Sequence, residues 1–482
     1  KPVALVCTSG SALLNYYPAI AEAYYSQMPL VVISADRPAH LIDIGDGQTI
    51  RQENVFKNHI LYSANLKEFD AENSIKALSK AFSLLRQVKG PIHINAPFNE
   101  PLYETVATMN DFRFIAEESD LQDTIDYENL ASQWNSAKKK MILVGVHSPN
   151  AALEILLDKV ADDPSVLVFT ETTSNLYNKR FVNSIDNLIF NLTEEEFTSL
   201  QPDILLTFGG MIVSKKIKKF LRDYSPKEHW HVNELRAFDT YQVLSKHLKI
   251  DSHSFFKHFC ELVDYDNKST YESSWTHYKQ RIREKHNHYI KTAPYSDLKV
   301  FEQVLKVIPD FSEVQFSNSA IIRYSQLFEM NSTITVFCNR GTSGIDGSTS
   351  TALGAAYATQ KPTTLITGDL SFFYDSNALW NNYIPSDVRI VIINNSGGGI
   401  FKIIPGPKKS TALKYFETPH CLTAEHLCVM FGFEYSTAHN LKTLAEEVVG
   451  FYDKSDKPKV LEVFTPSDLN DLVLKEYINN LK

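Results

Sequence analysis

Two short segments carry residues suited to holding a divalent cation beside a diphosphate. Gly368-Asp369-Leu370-Ser371 follows the apolar run Thr363–Thr367, and Asn394-Asn395-Ser396-Gly397-Gly398-Gly399-Ile400-Phe401 follows the apolar run Val388–Ile393. Asp369 offers a hard carboxylate oxygen and Asn395 a neutral amide oxygen, the donor types that Mg²⁺ takes in near-octahedral coordination. The glycines let backbone carbonyl and N–H groups come close to phosphate. A Gly-Asp after a strand is ordinarily a turn, and a glycine triplet is ordinarily a loop. The pairing carries the signal: Asp369 and Asn395 lie 26 residues apart at the ends of consecutive strand-like runs.

Such groups need parallel strands to position them, because open parallel sheets bind ligands at the carboxyl ends of their strands. The required pattern recurs. Val3–Cys7 leads into a helical pattern over Tyr17–Gln27, Leu30–Ser34 into a polar loop, and Ile92–Asn95 closes a first unit before Pro97–Pro101. A second series runs from Met141–Val146 through a helical pattern over Ala151–Ala161 to Val166–Thr170 and Asp203–Gly209. A third contains Thr335–Cys338, Thr363–Thr367, Val388–Asn394 and Lys459–Phe464. Short apolar runs alternating with longer helical patterns predict parallel βαβ units with both sheet faces covered. The fold class is therefore α/β, with three doubly wound parallel-sheet domains at 1–118, 119–275 and 276–482. Polar stretches around Ala107–Ser136 and Asp264–Lys291 are the predicted junctions, the second a solvated, charged helical connector.

Composition narrows the function classes. The 482 residues are 43% hydrophobic and 22% charged, which excludes a disordered, collagen-like or coiled-coil chain. A formal charge of −9 argues against a nucleic-acid partner, which would need a basic face. No apolar run approaches the roughly 20 residues of a membrane span, so no integral membrane contact is expected. Five Cys without a CxxC pair predict reduced thiols and a cytoplasmic location. Cys7 and Cys338 read as small buried hydrophobes, and His229-x-His231 and His286-x-His288 as structural or surface residues rather than metal ligands.

The paired metal segments resemble the signature of thiamine-diphosphate (ThDP) enzymes. Together with Asn339-Arg340-Gly341-Thr342-Ser343-Gly344-Ile345-Asp346-Gly347, Cys7-Thr8-Ser9-Gly10-Ser11-Ala12, Ala35-Asp36-Arg37-Pro38 and Gly90-Pro91-Ile92-His93-Ile94-Asn95, they resemble one family within that class. These are the 2-succinyl-5-enolpyruvyl-6-hydroxy-3-cyclohexene-1-carboxylate (SEPHCHC) synthases of menaquinone biosynthesis. The resemblance covers essentially the whole chain. It implies ThDP and Mg²⁺ (or Mn²⁺) as cofactors, with Asp369, Asn395 and the Gly397 carbonyl on the metal. Gly398 would lie in the diphosphate loop, and Ser343, Gly344, Gly368, Leu370 and Ser371 in the cofactor site, with Ser371 also capping the following helix. Ile345 would hold ThDP bent, and Ile400 and Phe401 would pack near its thiazolium.

The implied reaction is decarboxylation of 2-oxoglutarate and addition of the remaining unit to isochorismate. Both substrates carry two carboxylates, so an acidic chain must concentrate cations locally. Arg37, Lys216, Ser319, Arg323 and Arg340 match the family's substrate contacts, Gln48 matches a contact to substrate or cofactor, and the spacing of four between Ser319 and Arg323 predicts a shared helix face. Two departures from the family pattern affect that geometry: Lys216 stands where Arg is usual, and Gly47 where Asn is usual. The family also implies a homodimer or homotetramer, in which the first domain of one subunit meets the third domain of its partner. The chain opens at Lys1 on an apolar strand-like run, so it is expected to start inside its first domain. The ylide-forming glutamate would then lie upstream, leaving Glu22 as a surface or interdomain group. The alternatives are another ThDP-dependent 2-oxoacid decarboxylase or acetohydroxyacid-synthase-like enzyme, and a non-catalytic dinucleotide-binding protein. Arg37, Arg323 and Arg340 weigh against the first, since small monoacids need fewer cations. The absence of a GxGxxG after a strand weighs against the second.

Overall fold

The computed structural model describes residues 2–99, 105, 107–108, 125–404, 406–407 and 410–482. Its strands form three sheets, and every strand pair in them is parallel. The first holds β1 (Val3–Cys7), β2 (Leu30–Asp36), β3 (Tyr62–Asn65) and β4 (Pro91–Pro97), in the order β1-β2-β4-β3. The second holds β5 (Lys140–Val144), β6 (Val166–Thr170), β7 (Ile204–Phe208), β8 (Glu228–Val232) and β9 (Leu244–Leu248), in the order β6-β5-β7-β8-β9. The third holds β10 (Glu313–Phe316), β11 (Thr335–Cys338), β12 (Thr363–Gly368), β13 (Arg389–Asn394), β14 (Glu434–Ala438) and β15 (Lys459–Phe464). Its order is β11-β10-β12-β13-β15-β14.

Side-chain alternation shows that the sheets are covered on both faces. In β5, Ile142 and Val144 join one core cluster while Met141 and Leu143 join another. In β13, Val391 and Ile393 face one cluster and Ile390 and Ile392 the opposite one. The first sheet divides in the same way, with Val31 on one side and Val32 on the other. Doubly buried strands need a continuous apolar run, which is why β5, β6 and β13 are plain in the sequence. The strands β3, β8, β9, β10 and β14 escape that reading because their segments are polar, as in Glu-His-Trp-His-Val of β8. β3, β9 and β14 are edge strands.

β1 pairs with β2 at the end of the first sheet, with Val3 and Val6 58% and 70% exposed. Two expectations need correction. Cys7 and Cys338 are half-buried rather than buried. The charged connector is a helix, Tyr271–Thr292, but it is amphipathic rather than simply solvated. Its Trp275 packs with the second sheet's Met141 and Leu143, and its Ile282, Tyr289 and Ile290 pack with the third sheet's Val314 and Val391. Residue 275, the expected second boundary, falls inside this helix, and the first boundary at 118/119 lies outside the described residues. By contacts the chain forms two compact units, Lys1–Gln122 with Gly341–Ser343, and Asp123–Arg340 with Gly344–Lys482, so the second and third sheets share one unit. No described helix is long and apolar enough to cross a membrane.

The expected structural histidines are tied to hydroxyls. The Thr207 hydroxyl lies 2.8 Å from both His229 Nε2 and His231 Nδ1, and His286 Nδ1 lies 2.7 Å from the Tyr477 hydroxyl. His93 Nε2 lies 2.8 Å from the Ser34 hydroxyl. Burial pushes His93, His229 and His286 down to about 4 from an ordinary 6.5. A group lowered on folding contributes stability that is complete above the unfolded value, about 6.5, and lost as the pH falls toward the folded one. The urea midpoint should therefore fall between about pH 6.5 and pH 5, above the range in which ordinary carboxylates titrate. The buried carboxyls Glu171 and Asp297, raised on folding, act in the opposite direction, so a flat or rising midpoint would show that the histidines do not outweigh them.

Candidate active site

β12 and β13 are neighbours with Gly368 opposite Ile393, so Asp369 and Asn395 leave adjacent strand ends. Asp369 opens the helix Asp369–Tyr374 and is 2% exposed. Its Oδ1 accepts from the Leu370 N–H at 2.7 Å and its Oδ2 from the Gly397 N–H at 2.9 Å, joining the two segments. Asn395 donates its side-chain N–H to Asp297 Oδ2 at 2.9 Å, while its Oδ1 is buried without a hydrogen-bond partner. A buried acceptor left unpaired costs about 1–3 kcal/mol, so this oxygen suits an electropositive ligand. Gly397 has φ +142°, and a Cβ there would sit 2.5 Å from the Glu417 carbonyl oxygen, so only glycine fits. Its carbonyl accepts from the Gly399 N–H at 3.0 Å, and the Gly398 N–H donates to Glu417 O at 2.6 Å. Carboxylate, amide and backbone oxygens form a hard donor set that fits Mg²⁺ or Mn²⁺. Among the described residues no three His, Cys, Asp or Glu side chains could hold a metal, so a cation here would depend on the amide and backbone oxygens beside Asp369.

Two residues at this loop escaped the sequence reading. Asp297 is 3% exposed, and burial pushes its carboxyl up to about 6. His420 Nε2 lies 3.2 Å from Asp369 Oδ2, and that contact raises its pKa. Neither has a local motif; only the tertiary fold brings them to the loop. The Ser371 expectation is corrected: Gly368 holds the cap position, and Ser371, inside the helix, donates its hydroxyl to the Ile345 carbonyl at 2.5 Å. Ile400 is buried, and Phe401 stacks on Phe416 with centroids 5.3 Å apart.

The cationic candidates of this unit, Lys216, Arg323 and Arg340, follow β7, β10 and β11. Asn318, after β10, donates to the carbonyls of Asn339 and Gly344 at 2.6 and 2.7 Å and accepts from Arg340 Nη1 at 2.7 Å. The adjacent Ser317 hydroxyl accepts from the Gly368 N–H at 3.3 Å, so this loop adjoins the metal segment. Ser319 is not on a helix face with Arg323: it is the N-cap of helix Ala320–Ser325, at φ +69° and ψ −127°. That conformation is strained for a residue with a Cβ, and such strain concentrates at functional positions. Lys216 lies in the first turn of helix Lys215–Asp223 with its ammonium over the Phe190 ring.

Asp186 and Glu171, both missed in the sequence, connect these cations. Burial raises the Asp186 carboxyl, while Ser214, Lys216 and Arg323 oppose the shift. Burial pushes Glu171 up to about 7 despite its bonds from the N–H groups of Val213 and Ser214, with Arg340 also opposing. Burial and then Arg340 lower Arg323, and Asp186 opposes them. Lys216, Arg323 and Arg340 thus share one electrostatic neighbourhood. Among the described residues the Arg323 guanidinium makes no hydrogen bond or ion pair, which leaves it available to an added carboxylate.

In the other unit, Arg37 follows β2 with Nη2 3.6 Å from Asp46 Oδ2. Gln48, at φ +54°, makes one long bond of 3.5 Å to the Thr8 hydroxyl. The buried hub there is Gln52, unremarked in the sequence, which accepts from the Gly10 N–H at 2.8 Å and donates to Ala35 O at 2.8 Å. Glu22 accepts from the N–H groups of Gly341 and Thr342 at 2.7 Å each, next to Ser343 at φ +62°.

Comparison with known proteins adds an independent line. Residues 1–61 match the family described as "Thiamine pyrophosphate enzyme, N-terminal TPP binding domain", and residues 108–314 match "Middle domain of thiamine pyrophosphate". The chain is 53% identical over 487 residues to a 2-succinyl-5-enolpyruvyl-6-hydroxy-3-cyclohexene-1-carboxylate synthase of Flavobacterium psychrophilum, covering 100% of this chain and 88% of that protein. A protein of the same description from Flavobacterium johnsoniae is 51% identical with the same coverage. One from Phocaeicola vulgatus is 37% identical, covering 100% of this chain and 87% of the relative.

Proposed function

The chain belongs to the SEPHCHC synthases, thiamine-diphosphate-dependent enzymes of menaquinone biosynthesis, and from that premise we propose that it decarboxylates 2-oxoglutarate and transfers the succinyl-semialdehyde unit to isochorismate. The observation that supports the substrate reading is that Lys216 and Arg323 act on buried Asp186 and Arg340 on buried Glu171, two acids that Ser214 bonds together, while the loop holding Arg340 through Asn318 also bonds Gly368 through Ser317. Bound thiamine diphosphate supplies the electron sink for losing carbon dioxide from a 2-oxoacid and for carrying the remaining carbons to an acceptor. The protein's own task is position and charge. Asp369, Asn395 and the Gly397 carbonyl would hold Mg²⁺ (or Mn²⁺), and Gly398 would lie in the diphosphate loop. Gly344, Gly368, Leu370 and Ser371 would line the cofactor site, and Ile345, Ile400 and Phe401 would provide apolar walls. Arg323 and Arg340 would orient substrate carboxylates, with Lys216 as a point charge and Ser319 as a hydroxyl donor. In the other unit, Arg37 and Gln48 are candidate substrate contacts and Ser343 a cofactor contact.

Mass spectrometry of the product from 2-oxoglutarate plus isochorismate tests this reading. Turnover of pyruvate in preference to 2-oxoglutarate would replace it with another ThDP-dependent 2-oxoacid decarboxylase or an acetohydroxyacid-synthase-like activity. We place the protein in the cytoplasm, where its five free cysteines would stay reduced. Three separate sheets support a three-domain division, proposed at 1–118, 119–275 and 276–482. The third sheet's unit exposes Tyr357, Tyr374, Trp380 and Tyr383, each by half or more, and such an aromatic surface favours a homodimer or homotetramer. Sedimentation velocity at assay concentration should show at least a dimer; a fully active monomer would contradict it.

A further inference from the structure

An asparagine amide has one face that can ligate a cation and one that cannot, and the two are nearly identical in shape. Something must therefore decide which face Asn395 presents. Its side-chain N–H is taken by Asp297 Oδ2 at 2.9 Å, and its Oδ1 is the buried oxygen without a partner.

Asp297 is held in the accepting role by its other neighbours. Asn470 donates to Asp297 Oδ1 at 3.0 Å, and the orientation of Asn470 is itself fixed, because its own Oδ1 accepts from the Asp297 N–H at 2.9 Å. The Thr465 hydroxyl donates to the same Oδ1 at 2.5 Å. The Thr465 N–H in turn donates to the carbonyl of Asn394, the residue before Asn395, at 3.0 Å. Three donors converge on one carboxylate, so the group facing Asn395 can only accept. Among the described residues neither Asp297 nor Asp369 is paired with a lysine or arginine, although both are nearly fully buried. Asp369 meets the His420 ring at 3.2 Å and Asp297 meets no cationic side chain among the described residues, so burying both carboxylates is costly unless a cation joins them.

We propose that Asp297 is the positioning residue of the metal site: it pins the NH₂ of Asn395 to itself and so turns the amide oxygen toward the cation. This deepens the reading of Asp369 and Asn395 as a cation–diphosphate site and rests on it. Partners behind metal ligands orient the ligand atom, and their loss commonly costs about 10- to 100-fold in metal affinity.

The test uses calorimetry of the full chain with ThDP across a Mg²⁺ series, with thermal unfolding as the folding control. Asp297→Asn keeps the shape but adds a donor, which lets the Asn395 amide turn over and present nitrogen to the cation. The Mg²⁺ concentration for half-maximal ThDP binding should rise by about 10- to 100-fold. Asn395→Asp in the Asp297→Asn background restores a donor–acceptor pair and again leaves an oxygen for the metal, so affinity should return toward the wild-type value. A purely structural role predicts no such recovery. Unchanged Mg²⁺ dependence in Asp297→Asn, or loss without rescue in the swapped pair, overturns the assignment. A wild-type chain that binds ThDP with no Mg²⁺ dependence instead overturns the cation-site reading itself.

Discussion

Asp369→Ala should bind thiamine diphosphate no more tightly with Mg²⁺ than without it. Asp369 is the charged oxygen of the donor set, so its loss removes the strongest attraction for the cation and leaves diphosphate repulsion uncompensated. The effect should exceed the roughly 10- to 100-fold typical of groups one step removed from a metal. The substitution also strips the Leu370 and Gly397 N–H groups of their acceptor, a change that costs about 1–3 kcal/mol for each group left unpaired. Asp369→Asn lessens the second effect, since its single amide oxygen can still accept from one of the two N–H groups while the charge is gone. Circular dichroism reports whether each variant folds, and calorimetry reports ThDP binding. Wild-type Mg²⁺-dependent affinity in either folded variant would remove Asp369 from the metal site.

How much of this was visible in the chain depended on burial and on sequence distance. Runs such as Arg389–Asn394 declare themselves because both faces are covered, whereas Leu244–Leu248, at a sheet edge, carries Ser245, Lys246 and His247 and reads as loop. Asp369 and Asn395 were legible because adjacent strands deliver them from one local pattern. Asp297 was not, because it reaches Asn395 across 98 residues, with no local sign of the contact. Glu171 and Asp186 were missed for the same reason. Lys216 was singled out by resemblance to a family position, and its helical setting shows what spacing could not. Its helix starts at the N-cap Ser214, whose N–H bonds Glu171 and whose hydroxyl bonds Asp186. Ser371 was misread as a cap because its residue type favours that role, yet the helix starts at Asp369 and leaves the hydroxyl to reach Ile345.

Arg323→Ala should lower kcat/KM for 2-oxoglutarate or isochorismate by roughly 30-fold to a few thousandfold while sparing ThDP affinity. The range follows from about 2–5 kcal/mol for breaking one side of a desolvated charge pair. Arg323 is the sharper of the two arginine tests because its guanidinium makes no hydrogen bond or ion pair among the described residues, so truncation breaks no direct contact and removes only its longer-range support of the Asp186 charge. Burial and the nearby Arg340 already disfavour its charge, with Asp186 as the opposing acid, and a substrate carboxylate would supply the missing counter-charge. Arg340→Ala should give a similar loss but also deprives Asn318 Oδ1 of a 2.7 Å donor, so part of its effect would come from the loop that Asn318 holds. Arg323→Lys retains the charge and loses the planar fork, and should recover only part of the rate. The pattern across substrates then assigns the contact: a rise in KM for one acid alone places the guanidinium on that acid. Kinetics within about twofold of wild type for Arg323→Ala, against the loss expected for a buried pair, would show that the cationic cluster serves the fold rather than the substrate.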